Sequence, residues 1–297
     1  MKNYMDNKPT VLITGATGYI GSHVTKLFYE NGFYVTTLDY DLYKNDISSY
    51  CHNLICADVT EIKKGQLNLE FDIVVHLAGL ISVAESMHIP LDYYKTNLFG
   101  TINVLENISY KKFIFASTAG CFDPISPYAK SKLAAEDVIR QVAKNYTIFR
   151  FFNVAGNNGL FKQFGESTHL IRVAAEVASG KREKLTIFGN DYTTLDGTCI
   201  RDYVHVQDLS KAILNAALDT STNNLKYDCI GSDKTYTNLE VANIMREVSG
   251  NNFSIVFGPR RSGDPAILGL DTRSKYITPE YDIWDMCKSA YEMEMKS

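Results

Sequence analysis

Short apolar runs alternate with longer amphipathic stretches along the first half of the chain. Val11-Leu12-Ile13-Thr14, Tyr34-Val35-Thr36-Thr37-Leu38, Leu54-Ile55-Cys56-Ala57, Asp72-Ile73-Val74-Val75-His76-Leu77, Phe113-Ile114-Phe115-Ala116 and Thr147-Ile148-Phe149-Arg150-Phe151-Phe152 each read as a buried strand. Between them, residues 19–31, 92–108 and 126–144 carry helical periodicity. Strands and helices alternating at this spacing predict a parallel, doubly wound α/β sheet. From Asn153 the texture changes to glycine-rich stretches and short strands, with helices expected near 168–179, 206–218 and 238–248. Two domains are therefore expected: 9–152, with some later segments contributing, and a smaller 153–297.

The stretch after the fifth run carries the densest candidate chemistry. Ser117 and Thr118 end the strand, where open α/β sheets bind their ligands. Ser126 is a preferred helix cap and Pro127 suits the first helical position. Tyr128 and Lys132 then share one helix face. An ammonium near a phenol favours the phenolate, which can act as a general base. A threonine hydroxyl beside them can hydrogen-bond a reacting oxygen or relay its proton. Tyr-x-x-x-Lys alone describes many ordinary surface helices; the strand end before it and the glycine loop described next raise it to a catalytic candidate.

That loop is Gly15-Ala16-Thr17-Gly18-Tyr19-Ile20-Gly21, between the first strand and the first helix. Glycines there allow a tight turn, a close approach to pyrophosphate and close packing of helix on strand. The helix N-terminus offers free N–H groups to phosphate. Asp39 closes the second strand, where a carboxylate can accept hydrogen bonds from a ribose and repel a 2′-phosphate, so NAD is expected over NADP. Asp58 and Val59 follow the third strand and could flank an adenine. Ala78 and Gly79 follow the fourth, where small residues let backbone approach a cofactor. His76 reads as a core histidine. In the second half, Arg201 and Arg261 could clamp a diphosphate; the plainer alternatives are an Arg201–Asp202 pair and Asp208 as a helix cap.

Composition removes several classes. The net charge of −4 comes with no basic stretch suited to nucleic acid, and no run is long enough to span a membrane. Residues 1–9 are polar and lack a signal-peptide core, so a cytoplasmic protein is expected. The cysteines at 51, 56, 121, 199, 229 and 287 lack zinc-like spacing, so free thiols and no metal site are expected.

The chain resembles an extended short-chain dehydrogenase/reductase, most closely the UDP-glucose 4-epimerase group. The resemblance is carried by GATGYIGSH at Gly15, HLAGLISVAES at His76, SPYAKSK at Ser126, FRFFNVAG at Phe149, IFGNDYTTLDGTCIRDYVHVQDL at Ile187 and PRRSGD at Pro259, and runs from Val11 to Asp271. It implies a Rossmann-type sheet with a smaller C-terminal substrate domain, NAD as cofactor, a UDP-sugar substrate and a homodimer. It implies 4-epimerisation of a UDP-hexose through a 4-keto sugar, with Thr118, Tyr128 and Lys132 as the catalytic set. Gly15, Gly18, Tyr19, Ile20, Gly21, Asp39, Asp58, Val59, Leu77, Ala78, Gly79, Leu80, Thr96, Lys132 and Phe152 match its cofactor positions. Asn153, His169, Leu170, Phe188, Arg201, Arg261, Asp264 and Leu268 match its substrate side.

Three departures from that group stand out: Ile81 replaces a lysine often found there, the connection from Thr118 to Tyr128 is short, and the segment after Asp271 is abbreviated. A related dehydratase or decarboxylase would carry acids after Thr118, where Ala119 and Gly120 stand. A reductase, or a non-catalytic NAD-sensing protein on the same fold, are the remaining alternatives.

Overall fold

The computed structural model describes residues 8–67, 70–165, 168–220, 227–261, 263–269 and 274–296. The polar start 1–7, Ser262 of the arginine-rich motif and Asp271 lie outside the described residues. The chain forms two compact units, Met1–Arg150 with Ser210–Asp228, and Phe151–Leu209 with Cys229–Ser297.

The apolar runs become strands β1 (Thr10–Thr14), β2 (Tyr34–Asp39), β3 (Asn53–Cys56), β4 (Glu70–His76), β5 (Ser109–Thr118) and β6 (Tyr146–Phe151). With a strand at Tyr227–Ile230 they make a seven-stranded sheet, in the order Tyr227–Ile230, β6, β5, β4, β1, β2, β3. β1 lies parallel to both neighbours, Val11 registering with Val35 on one side and Ile73 on the other. Val11, Leu12 and Ile13 are fully buried, as a strand covered on both faces requires. The chain runs outward one way through β2 and β3 and the other way through β4, β5 and β6. The ends of β1 and β4 therefore flank the point where strand order reverses, the usual ligand crevice of a Rossmann-type sheet.

That crevice is tight because of glycine. Gly15 has φ +69°, and a Cβ there would lie 2.7 Å from the Ala78 nitrogen. Gly21, in the first turn of the helix Tyr19–Glu30, packs so closely that its Cβ would lie 2.0 Å from the Gly15 oxygen. The helix Pro127–Val142 starts as its sequence indicates, with the Ser126 hydroxyl accepting from the Ala129 N–H and Pro127 in the first turn. The stretch 92–108 departs from the single helix expected of it. A helical turn at Pro90–Tyr93 opens into a wide π-helical turn, Tyr94–Phe99, before the α-helix Gly100–Asn107. Such turns are frequent at functional sites. Here the wide turn carries the buried Asn97.

In the second unit the strand Ile200–His205 pairs antiparallel with Thr235–Thr237 and parallel with Ile267–Leu268 and Asn153–Ala155. A separate parallel pair joins Lys184–Phe188 to Ser254–Gly258. Helices Leu170–Ala178, Asn238–Ser249 and Ile283–Met295 share a core that includes Ala174, Val241, Met245 and Met286. Asn238–Ser249 begins with a Thr237/Glu240 capping box and ends at Gly250, in the left-handed region at φ +67°. Ile283–Met295 opens with a second box, Asp282/Asp285.

Gly21→Ala is expected to destabilise the protein by roughly 1–3 kcal/mol, because the backbone it would strike cannot move without reshaping the loop. Urea denaturation of the two proteins checks this; equal midpoints and slopes would show that the loop accommodates a methyl group.

Candidate active site

Thr118 is the last residue of β5, and its Oγ accepts from the Gly120 N–H at 3.2 Å. The hydroxyl also lies near enough to the Tyr128 phenol to favour its anion. Burial pushes the Tyr128 phenol up to about 12, with the Thr118 hydroxyl working in the opposite direction. In the chain by itself Tyr128 is therefore protonated at neutral pH. The spacing argument, which made the ammonium the dominant influence on the phenol, is corrected here, because desolvation outweighs the stabilising contacts.

The Lys132 ammonium is buried and donates to the Ala116 carbonyl at 3.0 Å. It lies 4.9 Å from the centre of the Phe115 ring. Burial lowers it to about 8. Gly79 makes room for it: a Cβ there would lie 3.0 Å from Lys132 Nζ and 2.8 Å from Asn97 Oδ1. Lys132 thus packs against Gly79, and Thr118 lies near the Tyr128 phenol.

Asn97 explains why the chain widens where it does. Its Oδ1 accepts from the Leu80 N–H at 2.9 Å, and its Nδ2 donates to the Leu80 carbonyl at 3.1 Å and to Ser131 Oγ at 3.0 Å. One amide thus pins the loop after β4 to the Tyr128 helix. Asparagine is a poor helix-interior residue, and that is the signal by which sequence reading could have singled it out. Tyr93 was missed in the same way. Its fully buried ring stands edge-on to the Tyr128 ring with centroids 6.2 Å apart, while its hydroxyl donates to Glu85 Oε2 at 2.7 Å and accepts from the Ser82 N–H.

His76 is a core histidine with a defined tautomer. The Thr101 hydroxyl donates to the Asn97 carbonyl at 2.7 Å, so toward His76 it can only accept. The proton on the ring therefore sits on Nε2, 3.1 Å from Thr101 Oγ1. Nδ1 then accepts from Thr14 Oγ1 at 2.7 Å, and that hydroxyl in turn accepts from the Ala78 N–H. Burial, aided by the Lys132 charge, lowers the imidazole to about 3, so it is neutral. The chain of bonds fixes the backbone of Ala78 between the two halves of the crevice.

The remaining cofactor-side candidates line that crevice or stand back from it. Gly18 caps the helix Tyr19–Glu30 without a side-chain bond, and the first turn holds Tyr19, Ile20 and Gly21. Tyr19 has its phenol raised by burial. Asp39 closes β2, with Oδ2 accepting from the Thr17 N–H at 3.1 Å and Oδ1 from the Asp41 N–H at 3.2 Å. A helix start capped by glycine, a glycine turn and a carboxylate tied to that turn fit a dinucleotide's pyrophosphate and ribose. Leu77, Ala78, Gly79 and Leu80 are half-buried along the crevice, and Thr96 is half-buried on the wide turn. Asp58 is exposed and accepts from the Thr60 N–H and hydroxyl, whereas the Val59 side chain is buried against Gly100.

The second unit gathers most of the substrate-side candidates. Arg201 Nη2 pairs with Asp264 Oδ1 at 2.9 Å, and not with Asp202, whose Oδ1 accepts from the Ser232 N–H. Asp208 lies in the first turn of the helix Val206–Leu218, and its Oδ2 accepts from the N–H groups of Glu280 and Tyr281. The Arg261 guanidinium lies 4.0 Å from the centre of the Phe188 ring. His169 precedes the helix Leu170–Ala178, and its imidazole is lowered by burial and by the charges of Arg172 and Arg261. Leu268 registers beside Arg201. Asn153 Nδ2 donates to the Asp202 carbonyl at 2.9 Å, and Phe152 is buried.

Residues 11–228 match the model of the NAD dependent epimerase/dehydratase family. The chain is 33% identical to UDP-glucose 4-epimerase 4 of Oryza sativa subsp. japonica, over 97% of this chain and 90% of that protein. Among solved structures it is similar to the UDP-Glc/GlcNAc 4-epimerase of Campylobacter jejuni, with a TM-score of 0.82, 35% identity and coverage of 97% of this chain and all of that one. It is also similar to the UDP-glucose 4-epimerase of Bifidobacterium longum in complex with NAD+ and UDP, with a TM-score of 0.88, 28% identity and coverage of 97% and 98%.

The neutral His76 makes a prediction about pH. Between the unfolded value and its lowered folded value, the unfolded chain binds a proton that the folded chain does not. Stability contributed here is present above the unfolded value and lost as pH falls below it. Acidification from about pH 7 to about pH 5 is expected to cost up to about 2 kcal/mol more in the wild type than in His76→Asn. Urea titrations at both pH values measure the difference; equal losses would show that His76 is protonated without penalty.

Proposed function

The chain belongs to the NAD dependent epimerase/dehydratase family, and from that membership we infer that it interconverts C4-epimeric UDP-hexoses, UDP-glucose and UDP-galactose among them. The observation that carries the mechanism is the convergence of the strand end and the helix start: the Thr118 hydroxyl lies near the Tyr128 phenol, and the Lys132 ammonium, one turn further along the helix, is buried and donates to the Ala116 carbonyl at 3.0 Å. Tyr128 takes the proton of the sugar 4-hydroxyl and later returns it, and Thr118 orients the oxygen between them. Bound NAD would supply a reversible acceptor for the C4 hydrogen with its electron pair, and a positive ring that would favour the Tyr128 anion. Lys132, held at the Ala116 carbonyl, is proposed to add its charge to the assembled site. The residues after Thr118 are Ala119 and Gly120, which offer no acid to expel water from the sugar.

We assign NAD binding to the first unit, at Gly15, Gly18, Gly21, Asp39 and the Leu77–Leu80 backbone, and UDP-sugar binding to the second. There Arg201 and Arg261 are proposed to hold the diphosphate and Phe188 to lie beside the nucleotide. Leu268, smaller than an aromatic residue and in register with Arg201, is proposed to leave room for a 2-acetamido group. The Campylobacter jejuni relative is described as acting on both sugar types. The proposal includes a cytoplasmic homodimer: Leu91 and Phe99, 79% and 58% exposed, are apolar surface a second copy could cover. Sedimentation tests the dimer.

Incubation with UDP-galactose, UDP-GlcNAc and UDP-glucuronate plus NAD, with products resolved by NMR, tests the reading. Interconversion of at least one hexose pair without net change in NAD is expected; no conversion of any of the three would contradict it.

Tyr128→Phe is expected to lower kcat by about 10²–10⁴-fold with NAD affinity retained, since only the proton acceptor is lost. Activity within a few-fold of wild type would remove Tyr128 from the mechanism. Arg261→Ala is expected to weaken plain UDP by about 1.5–3 kcal/mol, as for a charge-assisted hydrogen bond. Calorimetry decides it, and unchanged UDP affinity would place the diphosphate elsewhere.

A further inference from the structure

The inner face of the Tyr128 helix does not end at Lys132. One turn on, Glu136 is fully buried, which charged residues tolerate only when paired. Its carboxylate accepts from Arg150 Nε and Nη2, both at 2.8 Å, and from Arg140 Nη2. It also accepts from Ser117 Oγ, on the residue immediately before Thr118. Burial alone would raise the Glu136 carboxyl, but the bonds from Arg150 and Ser117 outweigh it and hold it below its ordinary value. The strand end is thus tied to the helix twice, by Lys132 at Ala116 and by Glu136 at Ser117.

Arg150 extends the tie to the short connection. Its guanidinium lies between two rings, 4.8 Å from the centre of Phe122 and 4.9 Å from that of Tyr227. Phe122 belongs to the turn Ala119–Phe122, directly after Thr118. A connection this short has little surface of its own to bury, so its conformation depends on what its few side chains touch.

We propose that Glu136 and Arg150 are positioning residues, which set the Thr118 hydroxyl against the Tyr128 phenol through Ser117 and fix the short connection through Phe122. The inference rests on the epimerase reading for its kinetic test. The groups facing the Tyr128 phenol are Thr118 from β5, Cys121 from the connection, and the Tyr93 ring, whose hydroxyl is held by Glu85; the Lys132 ammonium on its own helix is turned to the Ala116 carbonyl. Of these, the Thr118 hydroxyl is the one that favours the phenolate, and its place is set by Ser117, which Glu136 holds. If the pair lets go, the Thr118 hydroxyl moves away from the phenol, the phenolate becomes harder to form, and the acid limb of the rate profile moves to higher pH.

The test compares wild type with Arg150→Lys, which keeps the charge but loses the two-pronged fork, and with Phe122→Leu, at a residue 43% exposed and so tolerant of change. For Arg150→Lys, kcat is expected to fall by about 100-fold, while KM for UDP-galactose and NAD affinity stay within a few-fold. The acid limb should shift upward, and Phe122→Leu should show a smaller shift in the same direction. Hydrogen–deuterium exchange at 117–123 should quicken in both. A wild-type kcat and pH profile in both variants would overturn the proposal. So would a kcat loss accompanied by lower thermal stability and an unmoved profile, which marks a purely structural pair. If Arg150→Lys does not fold, the Phe122→Leu profile decides. If wild type converts no UDP-hexose, the functional reading fails instead, and exchange alone decides: faster exchange confined to 117–123 supports the positioning role, and unchanged exchange overturns it.

Discussion

The site is organised around one buried ammonium. Lys132 Nζ donates to the Ala116 carbonyl at 3.0 Å, lies over Phe115, and occupies space that any side chain at residue 79 would take. Burying a cation is unfavourable, and the lowering of this one to about 8 records that cost. The surroundings are built to contain it. The end of β5 supplies the carbonyl, the loop after β4 supplies a glycine, and Asn97 holds that loop through both backbone groups of Leu80. His76 and its two threonines fix the start of the same loop at Ala78. Three strand ends and two helical segments thus converge around Lys132.

Local features were legible in the sequence because their causes are local. The cap at Ser126, the proline after it, the glycine turn at Gly15 and the acid at Asp39 each act within a few residues, and each stands where the pattern put it. The same holds for the alternation of apolar runs, which fixed the parallel sheet. The wide turn at Tyr94–Phe99 was not legible. Its apolar spacing is that of a helix, and the reason for widening is Asn97, whose partner Leu80 lies far back in the chain. Glu136 and Arg150 were hidden likewise, since a charged pair on a helix and a strand looks solvent-facing until the fold buries it. Arg201 shows the same limit in the second unit: adjacency suggested Asp202, while strand pairing brought Asp264.

The electrostatics also had to come from the structure. Spacing alone places an ammonium near a phenol and suggests an easily ionised tyrosine. Burial instead raises the Tyr128 phenol and lowers Lys132. In the proposed reaction the phenol therefore gives up its proton only with cofactor and sugar both in place. That arrangement suits a reaction in which nothing is consumed, because the proton and the C4 hydrogen both leave the sugar and both come back.

The most direct measurement follows the C4 hydrogen itself. UDP-galactose deuterated at C4 is converted in ordinary water with a small amount of NAD, and the product is examined by NMR and mass spectrometry. The account predicts UDP-glucose that keeps its deuterium at C4, with NAD unchanged at the end. Hydrogen from solvent at C4, or one NAD consumed for each sugar converted, would contradict it.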